Sequence, residues 1–446
     1  MSVTSSMQYS LRQPAAQGRS FAYQIKATNG TEHTGTRSQV VQLDIPCGRP
    51  GSFLDQSQTF IQFTVKPKHA GTVSVDSHAS CFIHRLEIFH GSNLLESIDN
   101  YNVLYNMMLD AQVGGDQRNG HLSVSQGCAE GGGITIDKTV TDDDTKLLEA
   151  LDGKTLMVGG AIPLRGGISM TSLGEYEFAI PLSLSGLLSP LCPKYLPLMA
   201  MGASDLRIQI TLEDPKIAMV CSEATASYTV KNMTLNANFL EFPPDVGASI
   251  MASGLQAGNG SLRMSTESYR GYETTMNVGN NGGSFLIPAR FSSLTSLYAT
   301  LRYTDDASGK THDANSISGR QNPLVTSYQF RVGSELVPSA PVRGNEQSIL
   351  ELMKTFNSVS NIMHKSCITK TTYAGSDVKV GGTYMIGCEL SSMPNKSDVL
   401  DSGINTISQN VHLEMVCTNT AAHVVNTFAK YDAALVITDG VASIVY

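Results

Sequence analysis

The chain has 446 residues, 41% of them hydrophobic, and a net charge of −8 from 31 basic and 39 acidic side chains. That length exceeds what one core normally holds, so two domains of about 200 residues each are expected. With no dense Lys/Arg run the body of the chain lacks the electrostatic footprint of a nucleic-acid binder, and its charged share of only 16% suits a surface that meets partners.

Residues 1–38 carry Arg12, Arg19, Lys26 and Arg37 against Glu32 alone, four cations to one anion and so a net +3. Rich in Ser, Gln, Thr and Gly, this segment is expected to be an arm that precedes the first strand and orders only against neighbours. It has no apolar core of a signal peptide, and secretion is not expected. Val40–Ile45 alternates apolar and polar side chains and reads as the first strand. Thr59–Lys66 follows, with Ile61, Phe63 and Val65 on one face. Cys81–Phe89 then runs into a tight turn at His90–Leu94. Asn102–Gln112 shows a helical stripe of Val103, Leu104, Met107 and Met108, expected to be core, with Asp99 or Asn100 as its cap.

The stretch from Gly91 to Gly174 is read as a long surface excursion. It includes Gly114, Gly115 and the Asp142–Asp144 run, which caps a short helix at Thr145–Leu151. Strands are expected at Gly174–Ile180, at Leu206–Glu213 with Leu206, Ile208, Ile210 and Leu212 facing a core, and at Ser227–Phe242. Pro243 and Pro244, within Glu241–Ser249, interrupt strand pairing and mark a domain boundary. Ile180–Gly202 is apolar but holds four prolines and Lys194, a poor membrane span.

Beyond the boundary the same order returns. Strand patterns at Ser284–Ile287, Leu297–Tyr303 and Ser327–Val332 lead into a turn at Gly333–Leu336, a helix at Glu346–Asn357, and strands at Gly382–Cys388, Val411–Val416 and His423–Ile437. The repeat, at roughly two hundred residues, is far longer than the 20–50 of solenoids and implies a doubled domain. Short alternating strands separated by 40 glycines and 17 prolines make antiparallel β-sandwiches the expected class.

The chemistry of enzymes is missing from the motifs. There is no G-x-S-x-G elbow, H-E-x-x-H, Walker loop or dinucleotide fingerprint, so no catalytic residue, cofactor-binding residue or metal ligand is assigned and no enzymatic activity is expected. His84 and His90 read as structural histidines. Asp142–Asp144 lacks the alternating spacing of a calcium loop. Gly131–Gly133 and Asn280–Gly283 read as turns and not as phosphate cradles, since no Lys-Ser/Thr follows. The eight cysteines form no C-x-x-C and are expected to be reduced, buried thiols of a cytosolic or nuclear protein. Sequons at Asn29, Asn232, Asn259 and Asn395 are read as chance.

Ser52–Thr64 followed by Ile83–Tyr105, together with Phe428–Ile437 near the end, resembles double-jelly-roll major capsid proteins, those of Polinton-like viruses and virophages in particular. The resemblance runs from about residue 38 onward. It implies an all-β chain of two consecutive antiparallel jelly-roll β-sandwiches, eight strands each, with a few short loop helices: an N-terminal arm at 1–38, a first jelly roll at 39–242 and a second at 243–446. Loops of modest length leave no room for decorative domains. The implied function is that of a major capsid protein assembling as pseudo-hexagonal homotrimers into the icosahedral shell of a double-stranded DNA virus. The partners implied are neighbouring capsomers, penton and minor capsid proteins, with a weak genome contact through the arm and no specific nucleic-acid binding. The place implied is the virion capsid, assembled in host cytoplasm or nucleus. A β-sandwich carbohydrate-binding module is the alternative; the absence of Trp removes the aromatic platforms it would use.

Overall fold

The computed structural model describes residues 18–69, 72–132, 166–172, 174–192, 194–220, 226–303, 317, 319–320, 322–359, 363–374, 382–392, 403–419 and 422–446. Its eight principal strands in the first half are β1 (Arg19–Lys26), β2 (Val40–Ile45), β3 (Ser52–Lys68), β4 (Ile83–His90), β5 (Asn93–Asp99), β6 (Tyr176–Ile180), β7 (Leu206–Leu212) and β8 (Ser227–Glu241). The second half supplies β9 (Leu262–Met276), β10 (Gly282–Ile287), β11 (Leu294–Tyr303), β12 (Ser327–Val332), β13 (Glu335–Arg343), β14 (Ile386–Glu389), β15 (Val411–Val416) and β16 (His423–Thr438). A closing strand, β17 (Val441–Val445), folds back on β16.

Strand pairing is the same in both halves. One sheet runs β1-β8-β3-β6 and the other β2-β7-β4-β5; eight strands later the orders are β9-β16-β11-β14 and β10-β15-β12-β13. All these pairings are antiparallel. Each half is thus a jelly roll of two four-stranded sheets, and the chain is two consecutive jelly-roll sandwiches with few helices. Alternation along the strands places the cores: Leu206, Ile208, Ile210 and Leu212 are fully buried while Arg207 between them is exposed. Each β4–β5 and β12–β13 hairpin turns on a glycine in the left-handed region, Gly91 at φ 61° and Gly333 at φ 60°, where a side chain would be strained.

Three sequence expectations need correction. The first strand is Arg19–Lys26, not Val40–Ile45: β1 pairs residue for residue with β8, from Arg19 opposite Glu241 to Lys26 opposite Thr234, and Glu32–Thr34 pairs with β8 further on. Residues 19–34 therefore belong to the first sandwich and not to an arm at 1–38. The excess of positive charge there is largely engaged, since Arg19 binds Glu241 at 2.6 Å and Arg37 binds Glu213 at 2.6 Å. Second, the boundary segment is helical: Glu241 ends β8, and Pro244 opens α2 (Pro244–Ala257), a first-turn position that needs no amide hydrogen. Third, part of the expected surface excursion is structured, with helices at Gly115–Asn119 and His121–Gln126 and a buried Arg118. The Asp142–Asp144 run, Gly133, the helix expected at Thr145–Leu151 and residues 1–17 lie outside the described residues.

The helix expected at Asn102–Gln112 is α1 (Tyr101–Gln112), with Val103, Leu104, Met107 and Met108 buried as read. Asn100 takes the cap position in a left-handed conformation but makes no side-chain cap, and Asp99 instead pairs with Arg85. Its counterpart is α3 (Gly344–Lys354), whose first turn is closed by Gln347 accepting from the Arg343 amide at 2.9 Å. Truncating Ile208 to Ala, at a fully buried position, is expected to lower unfolding stability by about 2–5 kcal/mol, whereas Arg207→Ala on the same strand should change it by under about 1 kcal/mol. Denaturant melts of the two variants against the parent check the assignment of faces.

Candidate functional site

Among the described residues no group of three or more His, Cys, Asp or Glu is placed to hold a metal ion. The described cysteines form no disulfide, and burial raises the thiol pKa at Cys47, Cys128 and Cys388 to about 12. His84 and His90 share β4 but serve separate contacts. His84 Nδ1 lies 3.1 Å from a Glu213 carboxylate oxygen, while His90 Nδ1 accepts the Ala442 amide at 3.2 Å. Asn280 and Asn281 follow a turn at Val278–Gly279, and Gly282 and Gly283, expected as part of the turn, instead open β10; Asn281 Oδ1 accepts the Asn419 amide at 3.3 Å.

What the fold does concentrate is buried polar chemistry along the seam between its two sandwiches. Strand β9 faces the first sandwich with small polar residues where a core strand would carry aliphatics. Thr266 Oγ1 donates to the Gly186 carbonyl at 2.5 Å and Ser268 donates to Glu96. Gly271 meets the backbone of β5 so closely that an added Cβ would overlap the Asp99 carbonyl oxygen. Glu96 is fully buried and also accepts from Ser185 Oγ at 2.6 Å and from the Gly186 amide at 2.6 Å. Burial pushes its carboxyl pKa up, and these three hydrogen bonds oppose the shift.

The second cluster is ionic. Asp110, near the end of α1, holds Arg118 on one carboxylate oxygen and Arg320 of the second half on the other, and all three side chains are at most 4% exposed. The Asp110 carbonyl receives the Cys367 amide at 3.0 Å and Ser366 Oγ at 2.9 Å, and the Ala111 carbonyl lies 2.7 Å from His364 Nε2. In the same seam Asp76 Oδ2 accepts the Ile317 amide at 2.5 Å and Asn106 Nδ2 donates to the Ile317 carbonyl at 3.2 Å. His78, edge-on to Tyr105 with ring centroids 4.9 Å apart, is held neutral: burial, followed by the Arg118 charge, lowers its pKa to about 3.

Glu213 anchors the first sandwich beside this seam. It accepts from Arg37 Nε at 2.6 Å, Asn102 Nδ2 at 2.8 Å and the Asp214 amide at 2.9 Å. Burial alone would raise its pKa, but the His84 hydrogen bond and the His84 and Arg37 charges bring it down to about 2. Glu96, Asp110, Arg118, Asp76 and Arg320 were not singled out in the sequence. The available signals were an aspartate at the end of an otherwise apolar helix and a fifteen-residue strand, Leu262–Met276, too polar to have an obvious core face.

Two outcomes follow from the burial. Asp110→Ala, which strips a carboxylate from two buried guanidinium groups, should destabilise the chain by about 3–5 kcal/mol; Glu414→Ala, which breaks the exposed Arg331–Glu414 pair, should cost under about 1 kcal/mol. The folded pKa of Glu213 lies below its unfolded value of about 4.5, so its contribution is complete above that pH and is lost as pH falls through about 2. The stability difference between the parent and Glu213→Gln should therefore shrink by about 3 kcal/mol between pH 5 and pH 2, read from denaturant melts across that range.

No family model matches the sequence, and no curated protein does. The structure is similar to the PBCV-1 virus capsid at 13% identity, covering 98% of this chain and 99% of that one with a TM-score of 0.59. It is similar to the Faustovirus major capsid protein at 10% identity, 97% and 92% coverage and a TM-score of 0.58. The Sputnik virophage structure matches at 11% identity, 100% and 92% coverage and a TM-score of 0.54. At such identities the likeness is one of fold, and it spans both sandwiches: the chain has the double jelly roll and resembles viral major capsid proteins, those of virophages among them.

Proposed function

We propose that this chain is the major capsid subunit of an icosahedral double-stranded DNA virus, with a structural and not an enzymatic role. The observation that carries the reading is the pair of sandwiches with identical strand order, joined by a buried polar seam, in a chain whose whole length corresponds to capsid structures. Two like sandwiches side by side offer two sides of a hexagon. Three chains then supply six, and closed threefold symmetry satisfies a lattice of six neighbours.

In this reading the first jelly roll starts at Arg19, the second follows the boundary at 242–243, and the assembled trimers meet neighbouring capsomers, penton and minor capsid proteins in the virion shell. Any contact with packaged genome falls to residues 1–17, whose single charged side chain is Arg12; the expected net +3 of the longer arm no longer supports it. Light scattering of the purified chain should give three times the mass of one chain, and negative-stain images should show particles of hexagonal outline. A monomer at all concentrations would overturn the proposal.

A further inference from the structure

A cavity of about 420 Å³ lies between the start of β3, the segment 194–197, the later turns of α2 and the start of β9. Phe53, Pro197, Met251 and Met264 line it, and Tyr195 and Ile250, at 52% and 41% exposure, open it to solvent. Backbone pairing fixes its walls. Leu54 and Leu196 exchange backbone hydrogen bonds at 2.9 and 3.1 Å, Gln56 Nε2 donates to the Lys194 carbonyl at 3.2 Å, and Arg263 and Met264 pair with Val436 and Leu435 of β16. The charge around it has one sign: Lys194 and Arg263 line the cavity, and no acid does. Arg263 Nε donates to Ser261 Oγ at 3.2 Å, a contact that uses one of the five guanidinium donors.

We propose that this cavity takes a single-chain anionic amphiphile of the fatty-acid class, with its acyl chain among Phe53, Ile250, Met251 and Met264 and its carboxylate on Lys194 and Arg263. The volume falls in the range of small-molecule sites, which are mostly apolar with a few polar groups that fix orientation. Here burial of the chain supplies affinity, and the two cations select the sign of the head group, lysine as a point charge and arginine as a planar fork. Helix α2 has the composition of a wall that meets an apolar ligand. It buries only Gly247, yet its fourteen residues carry one charged side chain, Asp245 in the first turn, away from the turns that line the cavity. A surface helix with nothing to cover ordinarily turns a charged face to water.

The probe is dodecanoate, kept below its micellar concentration and titrated calorimetrically into the full-length chain. One molecule should bind per chain, and dodecylammonium, with the same acyl length and the opposite charge, should bind at least about tenfold more weakly. Replacing both cations, Lys194→Gln with Arg263→Gln, should abolish that preference and leave the melting midpoint of the free protein in place, since both side chains are exposed. Ala257→Trp, at an exposed lining position, should block both ligands while keeping the parent's circular dichroism. Dodecanoate binding that survives both variants, equal affinity of the parent for the two amphiphiles, or no saturable binding would overturn the assignment. Sedimentation with phosphatidylglycerol vesicles in the absence of dodecanoate binding would give this face to a bilayer and overturn it as well. The site lies within one chain, so its failure leaves the capsid reading standing, and a monomeric parent would leave the site standing.

Discussion

Three buried carboxylates have to be satisfied wherever the sandwiches meet or are anchored, and this requirement orders the rest of the molecule. Asp110 has partners from both halves, Arg118 and Arg320; Glu96 has Ser185 and Gly186 from one half and Ser268 from the other; Asp76 receives the Ile317 amide. An apolar seam tolerates sliding, because hydrophobic burial has no direction. Hydrogen bonds to buried charges do not, since a shift of an ångström leaves an ion without a partner in a medium that penalises it. The seam therefore defines one relative placement of two bodies that are each stable for a different, apolar reason.

That division of labour explains why the repeated halves carry such different sequences on equivalent strands. β1 and β9 occupy the same place in their sheets, yet β9 reads Thr266, Ser268 and Gly271 where it contacts Glu96, Gly186 and the Asp99 carbonyl, and β1 exposes nearly all its side chains. The cores kept the alternation of a jelly roll. The surfaces differ according to what each meets.

Strands with one apolar face were legible in the sequence because period-two alternation is a local signal: Leu206–Leu212 and Val411–Val416 have the register expected of them. The doubled order was legible because the hairpins at Gly91 and Gly333 and the helices after them recur together. β1 and β9 were missed for one reason, that an edge strand and a seam strand have no continuous aliphatic face to read. α2 was missed because it buries only Gly247, against Gly51 and Met199, so no stripe at helical period marks it. The seam ions were out of reach: Asp110 and Arg320 are 210 residues apart, and no local pattern pairs them.

If the seam makes one mechanical unit of the two sandwiches, scanning calorimetry of the isolated chain will register it directly. A seam built on shared buried charges predicts a single heat-absorption peak whose calorimetric enthalpy equals its van't Hoff enthalpy, the signature of all-or-none unfolding. Two separable transitions, each matching the enthalpy of one sandwich, would show that the halves unfold independently and would contradict the account.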